Sequence, residues 1–224
     1  MRLANPIEAN RISRERGQMK TAFDRWNQEN PEYQVNHPRW IGEPLGGNDL
    51  EFGWPVLVKR RIGYGGRGQR KLDSRQDFLR YVRSRNTRRY GRFFERYIIE
   101  EWKPSQKEYR VHAVTEVDGE REKLKIIGVD WKKSRDENAD WRVSKNHDNG
   151  YIFCSLDPQR LESWEIRAQS RRALRAVGLT MGCVDVGFNP ETREVWVFET
   201  NARPGVERED LINAYVAAGA PDPR

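Results

Sequence analysis

Apolar residues recur at Ala9, Ile12, Met19, Phe23 and Trp26, an approximate helical face. Asn5 as a cap, Pro6 in the first turn and Glu8 reaching back predict where that helix starts, with Gly17 as a candidate break. Residues 27–53 are rich in Asn, Pro and Gly and read as a connection. Val56-Leu57-Val58-Lys59 is a short strand, followed by a glycine loop over 63–68 and an extended Gln69-Arg70-Lys71. Ser74 and Asp77 open a helix carrying Phe78, Leu79 and Val82, and Tyr97-Ile98-Ile99 is the next strand. The stretches 109–117 and 123–129 pair around Asp118-Gly119. Asp157-Pro158 begins a long helix that Gly178 ends. Strands at 183–188 and 195–199 turn near Asn189-Pro190, and a last helix covers about 209–218. Short strands and helices without strict alternation predict an α+β fold.

The chain has 224 residues, enough for one domain or two closely joined lobes. Eight each of Trp, Tyr and Phe exclude a disordered chain, although 33% of residues are charged. The net charge of +7 points to anionic partners: phosphates, acidic substrates or nucleic acid. Arginine is dense over 75–96 (Arg75, Arg80, Arg83, Arg85, Arg88, Arg89, Arg92, Arg96), which is either a solvated surface or a nucleic-acid patch. Cys154 and Cys183 lie among apolar neighbours with no metal-ligand spacing, and no signal peptide or membrane-spanning run is present. A reducing cytoplasm and no membrane partner are the expectation.

The strand ending in Lys59 and its glycine loop form the first chemical signal. Glycines let backbone N–H groups approach an anion, and Lys59 adds a charge that reaches phosphates. Gly63-x-Gly65-x-x-Gly68 also fits the dinucleotide pattern, but no helix opens inside it. No Gly-Lys-Ser/Thr follows, as a Walker loop requires, and a protein kinase places its glycine loop before the lysine. A plain turn stays open as a reading.

The second signal is Asp185 with Glu199 and Asn201, polar residues in otherwise apolar strands. Glu199 and Asn201 differ by two and so share a strand face. Two carboxylates and an amide oxygen suit magnesium on nucleotide phosphates, and the carboxylates would repel one another without a cation. Alternatively they are ordinary strand acids paired with arginines.

Lys59 with its glycine loop, Ile99-Glu100-Glu101-Trp102, Glu108-Tyr109-Arg110-Val111, Asp185 and Glu199-Thr200-Asn201 together resemble an ATP-grasp domain, in that family's order. The opening Asn-Pro-x-Glu-Ala and the closing Phe-Glu-Thr-Asn-x-Arg-Pro-Gly are most similar to small ATP-grasp proteins of bacteriophages and bacteria, over about residues 5–218. The resemblance implies two α+β lobes gripping a nucleotide: 1–55 as N-terminal helix and connection, 56–103 as the small lobe with its lid, and 104–224 as the large lobe with a metal site. The family's additional N-terminal lobe would be reduced or absent.

The resemblance also implies roles. Lys59 would bind the ATP phosphates beneath a lid of Gly63, Gly65, Gly66 and Gly68. Glu100 would accept from the adenine amino group, backbone groups of Glu101 and Lys103 would complete the adenine contacts, and Glu108 would hold the ribose. Asp185, Glu199 and Asn201 would ligate magnesium, or manganese in its place. Arg110, Lys132, Asn146 and Arg203 would face the phosphates or the acyl substrate. Arg16 stands where the family has a lysine, keeping the charge but not the ammonium geometry.

The implied activity is an ATP-dependent ligase that makes an acyl phosphate from a carboxylate and lets an amine displace the phosphate, in a bacterial or phage-infected cytoplasm. No Ser/His/Asp or Cys/His set competes with it. Of His37, His112 and His147, only His112 sits in register with Arg110, and a core role for it stays open. The rival readings are a kinase on the same fold and a basic binding module without turnover.

Overall fold

The computed structural model describes residues 5–43, 52–63, 68–85, 90–118, 121–135, 150–206 and 208–219. Two antiparallel sheets organise it. The smaller has the order β1-β4-β2-β3, built from β1 (Trp40–Ile41), β2 (Val56–Arg60), β3 (Arg70–Leu72) and β4 (Tyr97–Glu101). The larger has the order β7-β6-β5-β8-β9, built from β5 (Lys107–Asp118), β6 (Arg121–Ser134), β7 (Tyr151–Leu156), β8 (Met181–Phe188) and β9 (Val195–Asn201).

Each sheet has its own core. In the smaller, Val56 and Val58 alternate inward on β2 and meet Leu72, Tyr97 and Ile99. Phe78 and Val82 of α3 (Arg75–Ser84) and Phe93 and Phe94 of α4 (Tyr90–Phe94) close the layer. Ser74 caps α3 by accepting from the Asp77 amide, as its sequence predicts. In the larger sheet, Tyr109, Val111, Val129, Val184, Val186, Val195 and Val197 face one way. They pack on Ile166, Ala173, Leu174 and Val177 of α5 (Trp164–Val177), which ends at Gly178 in the left-handed region, φ 75°.

The expected single N-terminal helix is two, α1 (Ile7–Arg14) and α2 (Arg16–Glu29). The break falls at Glu15 rather than Gly17, because the extended Glu15 caps α2 by accepting from the amides of Gly17 and Gln18. Asn5 is not the cap of α1. Its side chain ties the entering chain to the large sheet: Oδ1 accepts from Thr180 and Met181 amides at 2.9 and 3.0 Å, and Nδ2 donates to Met181 O at 2.9 Å. Ala9, Met19 and Phe23 join the large-sheet core, so these helices belong to that layer.

The opposite face of the large sheet is divided. At one end α6 (Glu209–Ala217) lays Leu211, Ile212 and Tyr215 over Val114 and Met181. Gly128 permits this, since a Cβ there would lie 2.2 Å from Leu211 Cδ2. The remainder of that face carries charged side chains. Among the described residues, no helix is long and apolar enough to cross a membrane.

Candidate functional site

Strand register builds the site. Asp130 on β6, Arg110 on β5, Asp185 on β8 and Glu199 on β9 are successive Cα partners, forming one charged row across the sheet that ends in two adjacent carboxylates. Directly opposed residues project to the same face, so this row is the floor. Asn201 pairs with Cys183 on the same face, as the spacing of two from Glu199 predicts. A bulge between Asp185 and Val186 lets Phe198 and Glu199 both reach this face. Phe198 lies against Gly187, where a Cβ would sit 2.5 Å from its ring.

Every carboxylate of the floor is ion-paired. Arg110 Nε and Nη2 donate to the two Asp185 oxygens at 2.9 and 3.0 Å, and Lys132 Nζ lies 3.5 Å from Asp185 Oδ2. Burial opposes ionisation of Asp185, but Arg110 and Lys132 outweigh it and hold the carboxyl far below its ordinary value. Lys132 also donates to Glu108 at 3.3 Å, and Glu108 accepts from Ser105 Oγ. Arg110 stacks on Phe153 at 4.6 Å. Arg16 donates to Glu199 Oε2 at 2.9 Å, and to the carbonyls of Arg60 at 2.8 Å and Gly63 at 3.2 Å. One guanidinium therefore joins the large-sheet floor to the end of β2.

The small sheet faces this floor with Lys59 and Glu100, 2.7 Å apart. Lys59 Nζ also lies 5.8 Å from the Phe198 ring centre. Behind them stands Lys20 of α2, a residue that sequence reasoning misses. Lys20 is 0% exposed, its Nζ is 3.7 Å from Glu100 Oε1, and neither atom has a hydrogen-bond partner among the described residues. Burial and then the neighbouring Lys59 push its ammonium down to about 8, against Glu100 and Asp24. Its signal in the sequence is a lysine beside Met19, one turn after Arg16, on the core face of an amphipathic helix.

The other expected residues are more scattered. Glu101 pairs with Arg39 and Lys103, and its amide donates to Arg39 O. Lys103 covers Trp196 at 4.2 Å. Gly68 takes φ 78°, and a Cβ there would meet Arg60 at 2.9 Å. Arg203 is exposed, two residues beyond Asn201 and outside the ion-pair network. Gly65, Gly66 and Asn146 lie outside the described residues. His112 is buried, bonded through Nδ1 to Tyr215 Oη at 3.0 Å and through Nε2 to Asp130 at 3.2 Å. It braces α6 against the sheet.

No family model matches the chain, and no curated protein does. Solved structures do match. N5-carboxyaminoimidazole synthetase from Staphylococcus aureus, solved with ADP, aligns at TM-score 0.61 and 14% identity over 95% of this chain and 50% of its own. D-alanine–D-alanine ligase from Bacillus anthracis, solved with ATP, aligns at TM-score 0.61 and 18% identity over 96% of this chain and 64% of its own. Biotin carboxylase from Campylobacter jejuni, solved as a β-γ-ATP complex, aligns at 0.64 and 17% over 91% and 43%. The chain has the ATP-grasp fold. The chain spans between 43% and 66% of the length of these proteins. At these identities the likeness is one of fold.

A divalent cation can be tested against the donors. Among the described residues, no group of three or more His, Cys, Asp or Glu side chains is arranged as a metal site. A site here must therefore combine Asp185 and Glu199 with an amide. Asn201, on the same face, could add its amide oxygen; its buried amide nitrogen has no hydrogen-bond partner among the described residues. Two adjacent carboxylates and an amide, ringed by cations that attract phosphates, fit magnesium shared with a nucleotide.

Proposed function

We propose that this chain is an ATP- and magnesium-dependent ligase that joins a carboxylate to an amine. The observation that carries the reading is the Asp185–Glu199 pair on adjacent strands, faced by Lys59 and surrounded by Arg16, Arg110 and Lys132. A site for a triphosphate must offer several cations without being swamped by positive charge, and two adjacent carboxylates set among these four cations do so. The D-alanine–D-alanine ligase and L-amino acid ligase among the proteins of like fold support the same class.

Nucleotide would sit between the sheets. Lys59 and Arg16 lie where the small-sheet edge meets Glu199, and they neutralise phosphate oxygens. Glu100 Oε1, buried and without a hydrogen-bond partner among the described residues, is the acceptor on offer to the adenine amino group. Glu108, held by Ser105 and Lys132, takes the ribose hydroxyls. Asp185, Glu199 and Asn201 would hold magnesium, which would supply positive charge to offset that of the phosphates. We assign 56–103 to the small lobe and 104–224 to the large one, with α1 and α2 joining the latter through their packing.

The γ-phosphoryl group passes to a substrate carboxylate oxygen and ADP departs. The amine nitrogen then bonds to the acyl carbon, the bond to the phosphate oxygen breaks, and phosphate leaves with the amine's proton released. Arg110 and Lys132 stabilise the transferring group, and Arg203 on the exposed segment after β9 contacts the acyl substrate. The glycines at 63–68 cover the phosphates.

The test is incubation with magnesium-ATP and pools of carboxylates and amines, read by mass spectrometry. ADP formation that requires both substrates, with a new amide, supports the ligase. ADP formation with a phosphorylated product and no amine requirement replaces it with a kinase.

A further inference from the structure

On α5, the residues Trp164, Arg167, Arg171 and Arg175 fall at steps of three, four and four. At about 100° per residue they occupy one stripe, facing away from the buried Ile166 and Ala173, with the half-buried Arg167 bordering the core at Leu174. The stripe is about 16 Å long at 1.5 Å per residue. Trp164 is 70% exposed, although a tryptophan is ordinarily covered.

Two of the arginines are held in place without being neutralised. Arg167 donates to the carbonyl of Pro158, and Arg171 Nε donates to Leu124 O at 2.9 Å. These bonds orient the guanidinium groups and leave their charge unbalanced. The nearest acids on the helix entry are committed elsewhere: Glu162 to Lys107 and Tyr109, and Glu165 to Arg172 and Gln169. Burial, and then the like charges of Arg167 and Arg175, lower the pKa of Arg171.

We propose that this stripe is a binding surface for single-stranded nucleic acid, with the arginines on successive phosphates and Trp164 stacked on an unpaired base. Three cations in a line, two of them held by backbone carbonyls, match a regularly charged polymer. An exposed indole at the end of that line requires a base that is not already stacked in a duplex. The basic stretch 75–96 is less suited, since Arg80 is paired with Asp77, Arg85 covers Tyr81, and 86–89 lies outside the described residues. The inference is independent of the ligase reading, because none of the four residues belongs to the nucleotide floor.

The test is fluorescence anisotropy of a labelled oligothymidine of about 20 nucleotides, longer than the ~4–16 that one binding fold covers. Full-length protein is titrated at several salt concentrations, with a duplex of equal length alongside. Wild type should bind the single strand more tightly than the duplex. Replacing Arg167, Arg171 and Arg175 with Gln should reduce the salt slope by about two, roughly 0.7 per phosphate contact. Trp164→Ala should weaken single-strand binding about five- to 100-fold and leave duplex binding unchanged. Arg175→Gln, at an exposed position, reports alone if the triple variant does not fold, and Arg175→Lys should restore the slope. Lys59→Ala should bind the strand like wild type. No binding by wild type at low salt, an unchanged slope in the folded arginine variants, or a duplex preference insensitive to Trp164 would each overturn the proposal.

Discussion

Lys20 Nζ and Glu100 Oε1 lie 3.7 Å apart in a fully buried setting, and neither has a hydrogen-bond partner among the described residues. With Lys59 on the other Glu100 oxygen, two ammonium groups share one carboxylate. The cost of burial falls on Lys20, whose ammonium is pushed down to about 8. In the unfolded chain its pKa returns to near 10.5. Between these values the unfolded state binds the extra proton, so this group makes stability rise with pH; below about 8 it contributes no slope. Lys20→Met removes that rise. The stability of Lys20→Met relative to wild type should fall by on the order of 3 kcal/mol between neutral pH and pH ~10, since a tenfold change in proton affinity is worth about 1.4 kcal/mol. Urea unfolding of both proteins across that range measures it, and a stability difference that does not change with pH would refute the assignment.

Arg110 and Asp185 form a two-pronged buried pair whose loss is asymmetric. Arg110→Met leaves Asp185 with Lys132 alone and should destabilise the chain by about 3 kcal/mol. The depressed Asp185 carboxyl gives stability that is complete above its ordinary value and lost as pH falls through its folded one, so this variant should also unfold at higher pH in acid. Adding Asp185→Leu removes the stranded charge and should recover much of the loss. Equal stability of wild type and the single variant, by thermal or urea unfolding, would show that the pair contributes nothing.

Gly187 lets Phe198 lie flat beside the floor. Gly187→Ala places a methyl 2.5 Å from the Phe198 ring and 2.8 Å from Ser105 Cβ. Overpacking of this kind should cost about 1–3 kcal/mol. Phe198→Leu in the same chain should relieve it. If calorimetric unfolding finds Gly187→Ala as stable as wild type, Phe198 is not confined as described.

Much of this arrangement is legible in the sequence because its parts are local. The β-branched run before Lys59, the Ser74 cap and the Gly178 stop each act within a few residues. Alternation alone predicts that Glu199 and Asn201 share a face. The sequence is silent where long-range packing decides. β1 is two residues long and exists only by pairing with β4. Tyr151-Ile-Phe-Cys signals burial but not the strand β7, which is held by Lys132 and its neighbours on β6. Asn5 looks like a helix cap because caps are local, yet its partners are 175 and 176 residues away. Lys20 escapes notice because a lysine in an amphipathic helix is normally solvated. Only the fold brings Glu100 to it.

The central claim is that Asp185, Glu199 and Asn201 bind magnesium shared with ATP. Calorimetric titration of ATP, with and without magnesium, on wild type, Glu199→Gln and Lys59→Ala tests it most directly. Wild-type binding should tighten with magnesium. Glu199→Gln should keep the amide side chain beside Arg16, stay folded, and lose most of the magnesium dependence, while Lys59→Ala should weaken ATP binding whether or not the metal is present. Wild-type binding indifferent to magnesium, or a Glu199→Gln protein that responds to the metal as wild type does, would contradict the assigned site.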